Sequence, residues 1–330
     1  DSRSCEPADR YMWPSVRAGR YADGMSGDVG VVVRTKDRPG FLARALVDIA
    51  DQTFSDVRVV VVNDQGDPDA VTDVIRAAPT GLSVTAVHLT AGGGRCVAAN
   101  AGISELDTEY VVLHDDDDLW HPEFLARTAA HLSTHLGDAG VMVPTEIVLE
   151  ERRGETWVET SREPFWEGLE RVTFSNLLLV NRAVPISFLY RRALHDEIGG
   201  YNESLDAVED WEFNLRVAAR HSIGFLAGPP LAYWMQRPAA RGAEANSMFE
   251  IAALHDRDDE LVRDAALREW VASNGPGLPL YIAAVERRLS NLLREEMAAQ
   301  RSRMVSELYA QHPLWRRLRA LRRRFLRPRR

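Results

Sequence analysis

Apolar residues in the first third of the chain fall into two alternating patterns, unbroken runs and stripes at helical spacing. Val29-Gly-Val-Val-Val33 and Val57-Arg-Val-Val-Val-Val62 are runs of the kind that parallel strands show when both faces are covered. Between them, Leu42, Ala45, Leu46 and Ile49 recur at helical spacing within residues 41–51. Strand, helix and strand at this spacing predict a right-handed parallel crossover. The alternation continues with a predicted helix over 68–77, a strand over 84–89, a helix over 94–106 and the apolar strand Tyr110-Val-Val-Leu-His114. This is the pattern of a doubly wound α/β sheet, in which ligands bind beyond the carboxyl ends of the strands. Thr35, Asp64, residues 92–95 and residues 115–118 all fall at such ends.

The last of these is a run of four aspartates, Asp115, Asp116, Asp117 and Asp118, followed at once by Leu119-Trp120-His121-Pro122. Two like charges about 6 Å apart repel by roughly 0.7 kcal/mol in bulk water and about 3 kcal/mol at an effective dielectric near 20. A solvated acidic turn would tolerate that cost. Here the run is clamped between a buried-type strand and an apolar Leu-Trp, so the carboxylates are aimed by the scaffold and call for compensation. A hard cation, Mg²⁺ or Mn²⁺, held by one or two carboxylates plus substrate phosphate oxygens, is the expected partner. Strand alternation alone would put Asp115 and Asp117 on one face.

Gly92-Gly-Gly-Arg95 loosely imitates a dinucleotide-binding turn, but that fingerprint belongs after the first strand, where this chain has Arg34-Thr-Lys-Asp-Arg-Pro39. The glycines instead predict a loop passing close to a ligand, with Arg95 able to meet a phosphate or to face solvent. His114, His121 and His255 lack ligand-like spacing and read as structural; His121-Pro122 is expected to start the next helix.

Taken together, Val31-Val-Val-Arg-Thr-Lys-Asp-Arg-Pro39, Gln52-Thr-Phe-Ser-Asp56, Val61-Val-Asn-Asp64, Ala98-Ala-Asn-Ala-Gly102, Glu109-Tyr-Val-Val-Leu-His-Asp-Asp-Asp-Asp-Leu-Trp120, Gly199-Gly-Tyr-Asn-Glu-Ser204 and Glu209-Asp-Trp211 resemble a family 2 glycosyltransferase of GT-A fold. The motifs keep the family's order over roughly residues 29–237. The resemblance implies a Rossmann-like mixed central sheet and an inverting, Mg²⁺- or Mn²⁺-assisted transfer of a sugar from a nucleoside diphosphate to a hydroxyl acceptor. It puts Thr35 and Asp37 in the loop lining the nucleotide pocket, Asp64 on the base, Asp116 on the ribose and Asp117 on the metal, with Asp115 supporting both donor and metal. Asp210 matches the catalytic base, with Glu209 beside it raising the pKa of the less exposed carboxyl; acidic residues there also suit a helix start. Arg237, in Tyr233-Trp-Met-Gln-Arg-Pro238, matches a segment that closes over the diphosphate, and Trp234 is a sugar-stacking or core aromatic. The chain departs from the family pattern at Ala99, where arginine is common, and at Lys36, where an aromatic is common. A catalytically silent binding protein would be expected to lose the aspartate run or Asp210. A metal-dependent nucleotidyltransferase would show a glycine-rich loop after the first strand.

Four segments are expected: an irregular extension over 1–28, the glycosyltransferase-like domain over 29–240, a helical region over 241–311 and a basic tail over 312–330. The third segment predicts a helix over 249–273, a breaker at 274–279 and a long helix over 280–311. Ile282, Val285, Leu289, Leu292, Leu293 and Met297 form a stripe in the long helix, to pack on the catalytic domain or on a partner copy. The tail holds nine arginines and no acid, with Trp315, Leu318, Leu321 and Phe325 on one face, a pattern for an anionic membrane surface and less for nucleic acid. The net charge of −9 over 330 residues therefore divides into an acidic body and a basic end. Two distant cysteines, Cys5 and Cys96, offer neither a disulfide framework nor a zinc ribbon. No apolar run approaches 18 residues. The sequence opens at Asp1 without a leader pattern, so its natural start is expected upstream. These features predict a cytoplasmic protein, peripheral on the inner face of the plasma membrane, acting on a cell-surface or lipid-linked glycan.

Overall fold

A computed structural model of the chain describes residues 27–311 apart from 92, 155 and 245–251. The expected extension up to residue 26 and the tail over 312–330 lie outside the described residues. The seven-stranded sheet contains β1 (Val29–Thr35), β2 (Val57–Asp64), β3 (Ser83–Leu89), β4 (Tyr110–Asp115), β6 (Asp138–Met142), β9 (Phe188–Arg191) and β10 (Ser222–Phe225), in the order β10-β6-β9-β4-β1-β2-β3. Only β9 runs antiparallel to its neighbours. β1 is central, with Val29 paired to Val57 on one side and to Tyr110 on the other, and all seven of its residues are buried. This is the α/β architecture of GT-A glycosyltransferases, a mixed doubly wound sheet followed by C-terminal helices.

The unbroken valine runs arise because both faces of the sheet are covered. One face packs Val31, Val33, Val59 and Val61 against α1 (Pro39–Ala50), α2 (Pro68–Ala77) and α4 (Phe124–Thr134). The other packs Val32, Val60 and Val62 against α3 (Arg95–Ser104) and α7 (Glu209–Ala218). α1 buries Phe41, Leu42, Ala45, Leu46 and Ile49, each large side chain contributing about 1.5–3 kcal/mol on burial. Gly102 is required for this packing, since a Cβ there would stand 2.4 Å from Val32 Cγ1. The helix expected to begin at His121-Pro122 starts at Phe124, after a turn in which the Phe124 N–H donates to His121 O.

A second, four-stranded sheet was not evident from the pattern. It comprises β5 (Leu119–Trp120), β11 (Ala232–Gln236), β7 (Thr145–Arg153) and β8 (Thr156–Pro164), in the order β5-β11-β7-β8. The aspartate run is thus the crossing from the large sheet to the small one: β4 ends at Asp115, the Asp118 N–H donates to Asp115 O, and β5 begins at Leu119. The segment expected to close over a diphosphate is instead strand β11, parallel to β7 and antiparallel to β5. Short α5 (Phe174–Leu177) and α6 (Leu194–Ile198) fill the connections.

By its contacts the chain divides into two compact units between Val262 and Arg263. α8 (Ala252–Asn274) crosses that boundary, and α9 (Gly277–Gln311) lies in the second unit. The break between them is shorter than expected, because Gly275 takes φ 76° while Pro279 is accommodated in the first turn of α9. The stripe of α9 is exposed, with Ile282 at 56% and Met297 at 69%. Among the described residues no helix is long and apolar enough to cross a membrane.

Candidate active site

A cavity of about 650 Å³ opens at the carboxyl ends of β1, β2 and β4. On one side it is lined by Arg34, Thr35, Lys36 and Arg38 from β1 and its following loop, by Asp64 at the end of β2, and by Asp115, Asp117 and Asp118. On the other stand Asn181, Glu209, Asp210, Phe165 and Trp234, with Arg95 between the two groups of carboxylates. The topology therefore brings the aspartate run and the Glu209-Asp210 pair, nearly a hundred residues apart in sequence, to one chamber.

The compensation expected of a cation is supplied in part by arginines. Arg34 Nε donates to Asp115 Oδ1 at 2.8 Å, and its Nη1 donates to Glu209 Oε1 at 3.2 Å. Burial raises the Asp115 pKa, and Arg34 and Arg95 more than reverse it, leaving the carboxyl below its usual range. Asp116 is fully buried and does not line the cavity; it accepts from Thr35 Oγ1 at 2.7 Å and Arg38 Nε at 3.1 Å and is also ion-paired through Arg38 Nη2. Burial pushes it up to about 7, with Asp117 and Asp115 adding and Arg38 opposing. Asp117 pairs with Arg237 and, at 3.4 Å, with Arg38. Asp118 accepts from the Met235 N–H at 2.9 Å and, buried beside Asp117 and Asp115, is raised well above the carboxylate range.

Three sequence-based expectations change. The carboxylates facing the cavity from this run are Asp115, Asp117 and Asp118, while Asp116 is buried against Thr35 and Arg38 and does not face it. Arg237 is not on the cavity wall. It is 1% exposed, donates through Nη1 to Glu150 Oε2 at 3.2 Å and through Nε to Glu244 O, and lies over the Phe41 ring at 4.4 Å, so its donors are spent beneath Asp117. Asp37, at φ 52°, does not line the cavity either; its Oδ1 accepts from the Asp67 N–H and ties the loop after β1 to the start of α2.

Asp64 Oδ2 accepts from the Gly94 N–H at 3.0 Å, while its Oδ1 is buried without a hydrogen-bond partner. Gly93 passes so close that a Cβ there would stand 1.8 Å from this oxygen. A buried acceptor without a donor beside a cavity carries a desolvation cost that a bound N–H or O–H would relieve.

Asp210 sits at the start of α7, after Val208 in the left-handed region (φ 54°). Its Oδ2 accepts from Asn181 Nδ2 and its Oδ1 from the Trp211 N–H, both at 2.8 Å. Burial, then Glu209, push its pKa up to about 7, against those two hydrogen bonds. Glu209 is 2% exposed and engaged by Arg34, with Arg95 at 3.7 Å, so it serves as the counter-ion of these arginines. Trp234 is half-buried, edge-on to Phe165 at 5.3 Å, with one side on the cavity.

Further residues also belong here. Arg34 and Arg38 lie in the stretch from β1 into its following loop that resembles the family, and the fold shows them as counter-ions. Asn181 comes from a segment without pattern. Glu150 in β7 holds both Arg237 and Arg44, and the Arg44 Nη2 donates to the backbone of Asp117 at 2.7 Å. His255, read as structural, lines the cavity with Asp256 and Asp259. Among the described residues, no three His, Cys, Asp or Glu side chains are grouped to hold a metal ion by themselves. Two carboxylates on the cavity wall, Asp115 and Asp117, do fit a hard cation whose remaining ligands are phosphate oxygens and water.

Residues 30–199 match the family model for glycosyl transferase family 2. The chain is 30% identical over 195 residues to the uncharacterized glycosyltransferase YwdF of Bacillus subtilis, covering 59% of this chain and 69% of that protein. It is 28% identical over 188 residues to a PGL/p-HBAD biosynthesis glycosyltransferase of Mycobacterium bovis, covering 56% of this chain and 68% of the relative. In fold it is similar to S. aureus TarS 1-349, with TM-score 0.52 and 20% identity over 76% of this chain and 74% of that one. With more than half of the chain matched and the sheet, cavity and carboxylates in place, the protein belongs to the family 2 glycosyltransferases.

Proposed function

We propose that the protein transfers a sugar from a nucleoside-diphosphate sugar to a hydroxyl of a glycan or lipid-linked acceptor, with inversion at the anomeric carbon. The observation that carries this reading is the Asp210 carboxyl, held on the cavity wall by Asn181 and poised near neutrality, across from Asp115 and Asp117. A base with a pKa near the working pH is effective at taking a hydroxyl proton as the oxygen attacks. In this reading the buried, partnerless Asp64 Oδ1 accepts from an N–H of the base, Asp115 takes the ribose and Arg95 meets a phosphate. TarS, whose fold is similar, has been crystallised with UDP-GlcNAc and with UDP, which supports a nucleoside-diphosphate donor here. Mg²⁺ or Mn²⁺, held by Asp117 with Asp115, would supply positive charge to the departing diphosphate. The arginine-rich residues 312–330 would attach the enzyme to an anionic membrane surface near a lipid-linked acceptor.

The direct test is a panel of nucleoside-diphosphate sugars assayed for release of the nucleoside diphosphate with Mg²⁺ or Mn²⁺, with the anomeric configuration of product read by NMR. Metal-dependent release by the wild type and its loss in Asp210→Asn is the expected result. Equal rates in the two proteins would remove Asp210 from the mechanism.

A further inference from the structure

Helix α9 is 35 residues long. At 1.5 Å rise per residue it spans about 50 Å. Its apolar side chains are exposed, Leu278 at 54%, Leu293 at 65% and Leu308 at 61% in addition to Ile282 and Met297. Among the described residues of the second unit nothing covers them. A contiguous apolar stripe left in water marks an interaction surface, and most of the stability of a helix in a protein comes from packing such a face.

The spacing along the stripe says what fits it. Ile282, Leu293 and Met304 stand eleven positions apart, close to three α-helical turns, so they lie along one line of a nearly straight helix. About Leu293 the pattern is the same in either direction: Leu289 and Met297 lie four positions to either side, Ile282 and Met304 eleven, and Leu278 and Leu308 fifteen. A stripe with this symmetry complements a copy of itself running the opposite way, with a two-fold axis at Leu293. Leu289 of one copy then faces Met297 of the other, and Ile282 faces Met304. Val285 and Leu292 widen the stripe on one side, where the mirror positions are Arg301 and Arg294, long side chains whose aliphatic stems cover apolar surface.

The charges agree with that direction. At about 100° per residue, Glu286 of one copy and Arg303 of the other fall on the same edge of the pair, one turn apart in height, and so do Arg287 and Glu296. Symmetry repeats both pairs on the opposite edge, and charges flanking an apolar seam set partner and orientation. A parallel, in-register pair would instead set Arg287 beside Arg288 of the other copy. Five arginines and four glutamates leave α9 nearly neutral, so two copies repel each other little.

We propose that α9 is a dimerisation helix, pairing antiparallel with α9 of a second copy about a two-fold axis at Leu293. The proposal goes beyond the transferase reading and stands or falls independently of it.

The test uses the full chain in analytical ultracentrifugation. The wild type is expected to sediment as a dimer at micromolar concentration. Leu293→Glu and Leu293→Lys, each setting like charges against each other on the axis, are expected to weaken association by about 10² or more. Circular dichroism checks that both are folded, and an equimolar mixture of the two should regain the dimer, which a misfolded variant would not do. Direction is read by oxidative cross-linking in a Cys5→Ser background, Cys96 being buried. Ile282→Cys and Met304→Cys should cross-link when mixed and not separately. A monomeric or higher-order wild type, a dimer unaffected by both Leu293 variants, no recovery on mixing them, or cross-linking of each cysteine variant with itself overturns the proposal.

Discussion

The two carboxylate centres of the cavity are built oppositely. The 115–118 run is surrounded by guanidinium groups, with Arg34 on Asp115, Arg38 on Asp116 and Asp117, and Arg237 on Asp117. Asp210 is held by a neutral amide and a backbone N–H, and its acidic neighbour Glu209 takes the arginines for itself. The two environments shift these carboxyl groups in opposite directions: the arginines bring Asp115 below the carboxylate range, and burial with Glu209 pushes Asp210 up to about 7. Burial raises both carboxyl groups; at Asp115 the arginines more than reverse it, whereas at Asp210 burial and Glu209 prevail. Glu209 is central to this separation, because it both draws Arg34 and Arg95 away from Asp210 and repels the ionised form of Asp210.

The contrast can be tested from either side. The largest effect is expected at Asp117: Asp117→Asn should abolish turnover and metal-dependent nucleotide binding, read by calorimetry with and without EDTA, while circular dichroism stays native. Full wild-type activity in EDTA would count against any role for a cation. Next, Asp210→Asn should lower kcat by about 10² or more, within the range of general-base contributions, with affinity for the donor nearly unchanged. A kcat within a few-fold of wild type would place the base elsewhere. Third, Arg34→Met leaves Glu209 and Asp115 without their shared partner. Breaking a buried pair on one side is expected to cost about 3–5 kcal/mol of stability, measured by urea unfolding.

Smaller effects concern the proton. Asp210 accepts a proton only when ionised, so kcat/KM should be low below its pKa and rise with pH through about 7. The Asn181 hydrogen bond favours the ionised form, so Asn181→Ala should move this rise to higher pH, with a modest loss of kcat. An acid limb at the same pH in both proteins would show that Asn181 does not tune the base.

Much of the large sheet was legible in the pattern because its parallel strands are covered on both faces and read as unbroken valine runs. α2 was expected over Pro68–Ala77 and is found there, where Pro68 and the Asp67 cap give a sharp start. The small sheet was not legible. β8 is mostly exposed and polar, and β5 is two residues long, so neither carries a period. That gap explains the misplacement of Arg237: with β11 unrecognised, nothing in Trp234-Met-Gln-Arg237 indicates that the arginine is buried beneath Asp117. The inward turn of Asp116 has the same origin, since it depends on the chain crossing between sheets. Asp258, buried in α8, carried no signal at all, because a lone acid in a charged helix looks like any solvated residue until its two backbone partners, the N–H groups of Asp206 and Ala207, are known.

The support of Asp117 has a consequence for how the enzyme comes to be active. Its backbone carbonyl is held by Arg44 of α1 and its carboxylate by Arg237 after β11, and Glu150 of β7 joins the two arginines. These four residues span almost two hundred positions of the chain, and closing such loops is slow because their entropy is lost before the contacts repay it. The valine-rich strands β1 and β2 are joined by a short local crossover and have no such delay. Refolding should therefore recover secondary structure before nucleotide affinity, and the interval between the two measures the time the small sheet takes to dock.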